Sequence, residues 1–461
     1  MCLLPKKGNL HESANWRPVS LLNTDYKILS KALATRLKEV ISFLIGTDQS
    51  YCVPERSIYD NIFLVRDLIS LGRTTSPGFG LLLLDQEKAF DSVNHSFLFD
   101  VLRRTGFGEK FIAYVKLLYK NASCLLKVNN SLCYPFPFQR GIRQGCALSG
   151  MLYNLSVEPL LVLLRNSVLG VSLSQNSKVV VSAYADDICV AIANQKDVSE
   201  VSRCLTQFEL ASTARVNWKK SVAFWVGPRL PSSSLPVLPG GIQWSSEGFK
   251  YLGLFLGIEA YEQKNWENFL EKIKLKLARW RRLYQLLSLK TRVSIINNLV
   301  VPFIWHKVIP LEPPRYLVTG IQRVLTDFFW GGHHWLGPDV VCRPRNAGGQ
   351  NLMHIPSRIM AFRISTIKRL LYSECVPWRP LTNACLQKVE GLKYDRELFL
   401  IDLQHVDMSQ LPSFHQSLLN AWQVLGVQRL EVSYDAQKFV HEPLVRNPLF
   451  SRISTSRSFM H

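Results

Sequence analysis

Apolar residues early in the chain recur first with a helical spacing and then as an unbroken strand. Tyr26, Leu29, Leu33, Leu37, Ile41 and Leu44 return every three or four residues, predicting an amphipathic helix whose other face carries Lys27, Lys31 and Lys38. A second helix is predicted over "DNIFLVRDLISLG", with Asp60 as its N-cap and Gly72 as its stop. Behind a Ser-Pro-Gly turn, "FGLLLLD" is a short apolar strand ending on Asp85. Helices follow around Ser96 to Thr105 and Glu109 to Asn121, then a hairpin in "CLLKVNNSLCYPF" that turns at Asn129 and Asn130. The glycine-rich "QRGIRQGCALSG", with Arg140 and Arg143, opens into a long apolar helix near Ser149, an entrance suited to an anion.

The stretch "VVVSAYADDICVAIA", Val179 to Ala193, sets Asp186 and Asp187 side by side in an apolar run. Ionised carboxylates in such a setting need a cation, hydrogen-bond donors or exposure at a bend. β-Branched runs on either side of Ala185 to Asp187 predict a hairpin with both carboxylates at its tip. A helix from Val198 to about Ala214, a strand in "SVAFWVG", a Pro/Ser/Gly-rich loop and resumed strand character in "FKYLGLFLG" come next. From Tyr261 to about Asn298 the pattern is helical and basic, with Trp266, Trp280 and Tyr284 among the cations. That composition fits a solvated face or one turned to nucleic acid. Beyond Pro313 the chain is rich in Trp, His and Arg and then helical.

A length of 461 residues predicts two to four packed units. The formal charge of +20 favours polyanionic partners, nucleic acid before an anionic membrane. The longest apolar stretches are interrupted by Arg165, Pro302 and Lys307, so no membrane span is expected, and the start of the sequence carries no visible signal peptide. A soluble intracellular protein is the expectation. Ten scattered cysteines include no C-x-x-C pair and read as reduced thiols. Cys342, His333, His334, His354, Cys375 and Cys385 match no common zinc-finger spacing and read as core cysteines and surface histidines.

Phosphoryl transfer by two metals needs hard oxygen ligands from separate backbone segments. Asp85 at a strand end and Asp186 with Asp187 at a hairpin tip supply them if the two segments are neighbours in one sheet. The segments "NWRPVSLLNTDYKILSKALATRL", "LLLLDQEKAFDSVNH", "GIRQGCALSGMLYNL", "AYADD", "NWKKS" and "FKYLGLFLG" resemble, in that order, the successive motifs of reverse transcriptases. More narrowly they resemble those of non-LTR (LINE-type) retrotransposons of the L1 and Tx1-like group, over about Leu3 to Gly257, with a weaker likeness in "FFWGGHHWLG" and "NAGGQNL". Ala147, Gly150 and Tyr153 depart from the commonest pattern without touching the carboxylates.

The resemblance implies a right-hand polymerase of α+β type. Its fingers would span residues 1–80, a palm with an antiparallel sheet 81–258 (with finger elements about 96–136), a helical thumb 259–310 and a helical basic C-terminal domain 311–461. It implies RNA-directed DNA polymerisation, with Asp85, Asp186 and Asp187 holding Mg2+, for which Mn2+ would substitute, and dNTPs, an RNA template and a DNA primer as partners. Phe90 falls where the family places the aromatic residue that blocks a ribose 2′-OH. Arg17, with Lys6 or Lys7, falls where the triphosphate is gripped, and Gln144 and Gly145 where backbone approaches template and nucleotide. Lys220, with Lys219 beside it, matches the lysine thought to protonate pyrophosphate, and Gly253 the primer grip. The family's endonuclease domain is not expected in these residues, and a nuclear location is a family expectation. The competing expectation is a truncated relic that binds RNA or DNA through basic surfaces without catalysis; a maturase-like role on an intron RNA would use the same fold.

Overall fold

A strand with no polar face must be covered on both sides, and "FGLLLL" is: Leu81 and Leu82 have no exposure. In the computed structural model, which describes residues 1–426 apart from 7, 13–14, 74–76, 129, 175–176, 229–234, 374–375, 390–392 and 405, Phe79–Leu84 is the central strand of a five-stranded sheet. The order is Val181–Tyr184, Asp187–Ile192, Phe79–Leu84, Val222–Val226, Trp244–Ser245. All junctions are antiparallel except the last. Gly80 leaves room for the Trp244 ring: a Cβ there would stand 2.3 Å from Trp244 Cη2.

The sheet rests on helices. Ser149–Ser167 is buried on most of its turns, from Met151 through Leu164. Gln195–Ser212 lies against it, its N-terminus capped by Asn194 Oδ1, which accepts from the Asp197 amide at 3.1 Å. Near the N-terminus, Cys2–Pro5 pairs antiparallel with Trp16–Val19 and parallel with Lys127–Val128.

The chain divides into two compact units, Met1–Val65 with Gly72–Leu252, and Arg66–Leu71 with Gly253 onward. Apart from Arg66–Leu71 and residues 253–258, the first takes in the stretches assigned above to fingers and palm; the second takes in those assigned to thumb and C-terminal domain. Among the described residues no helix is long and apolar enough to cross a membrane.

Several local expectations are corrected. The first amphipathic helix ends at Lys38 and a short turn of helix, Ile41–Leu44, continues the apolar stripe. Asp60 is not the cap of the next helix, Ile58–Gly72. Ser57 caps it: its hydroxyl accepts from the Tyr59 amide at 3.3 Å while Asp60, in the first turn, accepts from the Ser57 amide at 2.8 Å. Such a reciprocal pair satisfies two orphan donors, a job a lone Asp cap leaves half done. The basic segment is broken into Phe269–Ala278, a tighter turn Arg281–Leu286 and Leu289–Ile295, because Ser288 starts a new helix by accepting from the Thr291 amide at 3.2 Å. In the expected hairpin, Val128 pairs with Ser131 and Asn130 is left-handed; Asn129 lies outside the described residues.

In the second unit the helices Ile355–Tyr372 and Ser413–Leu425 pack together around a charged anchor. Arg363 has no exposure, yet it donates to the carbonyls of Val308, Ile309 and Leu311 at 2.8–2.9 Å, to Ser417 Oγ at 2.8 Å and to Glu312 Oε2 at 2.8 Å. A buried guanidinium is tolerable because every side of its fork is engaged. Replacing it strands three carbonyls and a carboxylate, so Arg363→Leu should cost the second unit about 3 kcal/mol in urea unfolding.

Candidate active site

The antiparallel register decides where the carboxylates meet. Leu84 is the partner of Ile188, so the next residues outward, Asp85 and Asp187, emerge side by side at the same end of the sheet. Tyr184 pairs with Asp187, leaving Ala185 and Asp186 as a two-residue turn above them. Asp85, Asp186 and Asp187 are therefore delivered by adjacent strands.

Their electrostatics reflect that proximity. Asp85 is raised above the ordinary carboxylate range, chiefly by displaced water, with Asp186 raising it and Lys220 and Lys6 opposing. Asp187 is raised to about 6, first by desolvation and then by Asp186 and Asp85, although its outer edge is exposed. Two neighbouring carboxylates pushed upward mark an anionic set that a cation would relieve. Oxygen donors of this kind suit a hard divalent cation.

The other residues singled out in the sequence fall into place unequally. The Asn217 amide donates to Asp85 O at 2.7 Å and Ser221 Oγ accepts from the Asp85 amide at 3.1 Å, so the "NWKKS" turn is tied to the strand end. Of its two lysines, Lys220 acts on Asp85. Phe90 lies in the short helix Ala89–Ser92, stacked on Tyr153 at 4.2 Å and edge-on to Tyr51 at 6.4 Å. Arg17 is exposed on Trp16–Val19, and with Lys88 and Lys6 it acts on Asp91; Lys7 lies outside the described residues. The Ser20 amide donates to Gln144 O at 2.9 Å, and Gly145 has φ +103° with Ser20 O only 3.0 Å from where a Cβ would be, so a side chain there is excluded twice over. Arg143, expected to line an anion-ready helix entrance, instead lies over the Tyr26 ring at 4.8 Å. Gly253 belongs to the second unit, with φ +88° and His306 beside it.

Sequence reading missed the segment Asp48 to Tyr51. Gln49, fully buried, accepts from the Ala185 amide and donates to the Ala185 carbonyl. Asn61, also buried, donates to Ala183 O and Ser182 Oγ, each at 2.9 Å. A polar pair in "TDQSY" and "YDNIF" carries no local periodicity that would flag it; only its distance from the "YADD" turn gives it meaning.

Among the described residues, the cysteines and histidines singled out in the sequence do not gather at one point. Cys342 meets Gln322, His334 meets Asp327 and His354 meets Ser357, while Cys375 lies outside the described residues. Cys385 instead joins Asp67 and His415 in a buried trio within 4.8 Å, a set able to hold a metal ion. Against the desolvation that raises it, Arg66 at 2.7 Å, then His415 and the Thr382 hydroxyl at 2.6 Å, hold the Asp67 carboxyl down at about 2, which makes the trio an anchor between helices.

Residues 4–256 match the family described as reverse transcriptase (RNA-dependent DNA polymerase). Over 455 residues the chain is 41% identical to the Transposon TX1 uncharacterized 149 kDa protein of Xenopus laevis, covering 98% of this chain and 35% of that one. It is 26% identical over 317 residues to a Retrovirus-related Pol polyprotein from type-1 retrotransposable element R2 of Popillia japonica, covering 65% of this chain and 42% of that one. Among solved structures, telomerase from Candida Tropicalis in complex with a TWJ fragment of telomeric RNA aligns with 90% of this chain and 55% of its own, at 13% identity and a TM-score of 0.37. The chain thus spans less than half the length of these two transposon relatives. With the match covering more than half of its residues, and Asp85 and Asp187 at the same end of one sheet, the chain belongs to the reverse transcriptase (RNA-dependent DNA polymerase) family.

Proposed function

We propose that this chain adds deoxynucleotides to a primer 3′-OH on an RNA template, as the polymerase segment of a non-LTR retrotransposon protein. The observation that carries the reading is the register that brings Asp85 beside Asp187, with Asp186 in the turn above. Binding nucleic acid through basic surfaces would not call for this acidic set, in which Asp186 raises Asp85 and both raise Asp187.

Asp85 and Asp186 would be the principal holders of Mg2+, or of Mn2+ in its place, with Asp187 a weaker ligand or an orienting charge. Ions held there would supply the charge that lowers the pKa of a primer hydroxyl and that offsets the charge of departing pyrophosphate. The chain's own residues do the rest. Lys220, already within the field of Asp85, would donate a proton to the leaving group. Lys6 and Arg17 would grip the triphosphate, the guanidinium through paired hydrogen bonds. Phe90, fixed by its stacking on Tyr153, presents a wall that a 2′-hydroxyl would strike, so dNTPs are the substrate. Gln144 and Gly145 let backbone lie close to template and nucleotide, and Gly253 contributes to the primer grip. The basic residues from Lys264 to Arg292 would hold the template–primer duplex by phosphate contact, and a nuclear site of action follows if the copied product joins a chromosome.

Purified protein should incorporate dTTP on poly(rA)/oligo(dT) with Mg2+, and Asp186→Ala should reduce incorporation on the order of 1,000-fold while retaining salt-sensitive RNA binding. Equal incorporation by both proteins overturns the reading. Phe90→Val should raise ribonucleotide use relative to dNTP use on the order of 10-fold, read from the ratio of kcat/KM values. Because Asp187 titrates near 6 when folded, against about 4 unfolded, the folded state binds more protons in that window. Metal-free stability contributed by this group therefore falls as pH rises through the window. Asp187→Asn should stabilise the chain in EDTA at pH 7.5, by at most ~1 kcal/mol given solvent screening, and the gain should vanish below about pH 4, as read by thermal unfolding.

A further inference from the structure

We infer that Gln49 is a positioning residue for the carboxylate turn, holding the Ala185 peptide so that Asp186 and Asp187 face Asp85 in the arrangement that takes up divalent cations. The inference rests on the polymerase reading above and adds to it a residue outside the motifs that suggested that reading.

Ala185 is the first residue of the two-residue turn and has φ +54°, the left-handed region, which a residue with a Cβ enters only against steric resistance. Something must hold it there. Gln49 Oε1 accepts from the Ala185 amide at 3.1 Å, and Gln49 Nε2 donates to the Ala185 carbonyl at 3.4 Å. The same Oε1 accepts from the Tyr51 amide at 3.0 Å. With no exposure, Gln49 has no water to exchange for these bonds. The grip takes hold of the two successive peptide groups on either side of the Ala185 Cα, and so fixes that residue's backbone angles and with them the direction in which the Asp186 carboxylate leaves the turn.

The clamp is itself anchored. The Ala183 amide donates to Asp48 O at 2.9 Å and the Ser50 amide to Ala183 O at 3.1 Å, so residues 48–50 run alongside the hairpin strand as an extra edge. Arg56 donates to Gln49 O at 2.8 Å and to Ile45 O at 3.0 Å. Arg165 joins Asp48 at 2.8 Å and Glu158 at 2.5 Å, and Glu158 in turn accepts from the Gly46 amide at 3.1 Å. The side chain that grips the turn is thus mounted on a segment pinned by two guanidinium groups. Its chemistry also matters: a neutral amide supplies both a donor and an acceptor without adding a charge beside three carboxylates, which neither Glu nor Lys does.

Gln49→Met keeps the volume and removes the hydrogen bonds, and Ala185→Gly removes the steric resistance at the turn. On a primer–template, Gln49→Met should lower kcat about 10- to 100-fold with little change in primer–template affinity. Mn2+ binding, followed by the EPR signal of the free ion, should weaken several-fold in parallel, without nucleotide or turnover. In the Ala185→Gly background, where the turn is adopted without resistance, the Gln49→Met loss in both readouts should shrink. The inference is overturned if Gln49→Met binds Mn2+ as the parent does, if activity falls only with the fraction unfolded, or if the Gln49→Met loss is undiminished in the Ala185→Gly background. Should the parent bind Mn2+ but incorporate no nucleotide, the polymerase reading fails while the Mn2+ arm still decides the role of Gln49; a parent that binds no Mn2+ removes both.

Discussion

The pairing of Phe79–Leu84 with its two neighbours is the constraint on which the first unit depends. Leu81 to Leu84 meet Ala191 to Ile188 on one side, and Leu81 to Leu83 meet Phe224 to Val222 on the other. Because side chains alternate across a strand, a slip of one residue would move every side chain to the opposite covered face, against packing built for another residue, and part Asp85 from Asp187. The apolar packing that fixes the core therefore also fixes the chemistry. Asp85 is where the apolar run stops, so the carboxylate appears at the first position the core no longer claims.

That arrangement concentrates negative charge within a chain whose net charge is +20. Removing water from Asp85 and Asp187 while setting them beside Asp186 works against stability, a local conflict expected where a fold is built to bind something. The surrounding chain offsets it in part with cations, Lys220 from the turn tied to the Asp85 backbone and Lys6 from the N-terminal segment. Aromatic packing fixes the neighbouring wall: Tyr51, Phe90, Tyr153 and Tyr184 form one connected group of rings, joining four separate segments. Tyr153, fully buried, finds a partner for its hydroxyl in Gln86, one residue past Asp85.

The second unit answers the same problem differently. Beside the apolar side chains its helices bury, they are tied by buried polar groups, with Arg363 gathering the carbonyls that end the 302–308 helix and Asp67 meeting Arg66, Thr382 and His415. Such contacts contribute little net energy but penalise any arrangement in which a partner is missing. They act as specification more than as adhesive.

What the sequence determined by itself was what neighbours along the chain can express. The period of apolar residues placed the central strand, the hairpin and the long helix near Ser149, and the stop of one apolar run and the interruption of another marked Asp85, Asp186 and Asp187. The order of motifs identified the family, since six in succession constrain one another as a single short match does not. The tertiary structure alone decided the rest. It set Ser57 rather than Asp60 at the cap, placed Lys220 in the field of Asp85, stacked Phe90 on Tyr153 and brought Gln49 to Ala185, a partner 136 residues away. A hydrogen bond across that separation leaves no trace in any local window, because its two ends obey the propensities of their own surroundings and meet only when the sheet register brings them together.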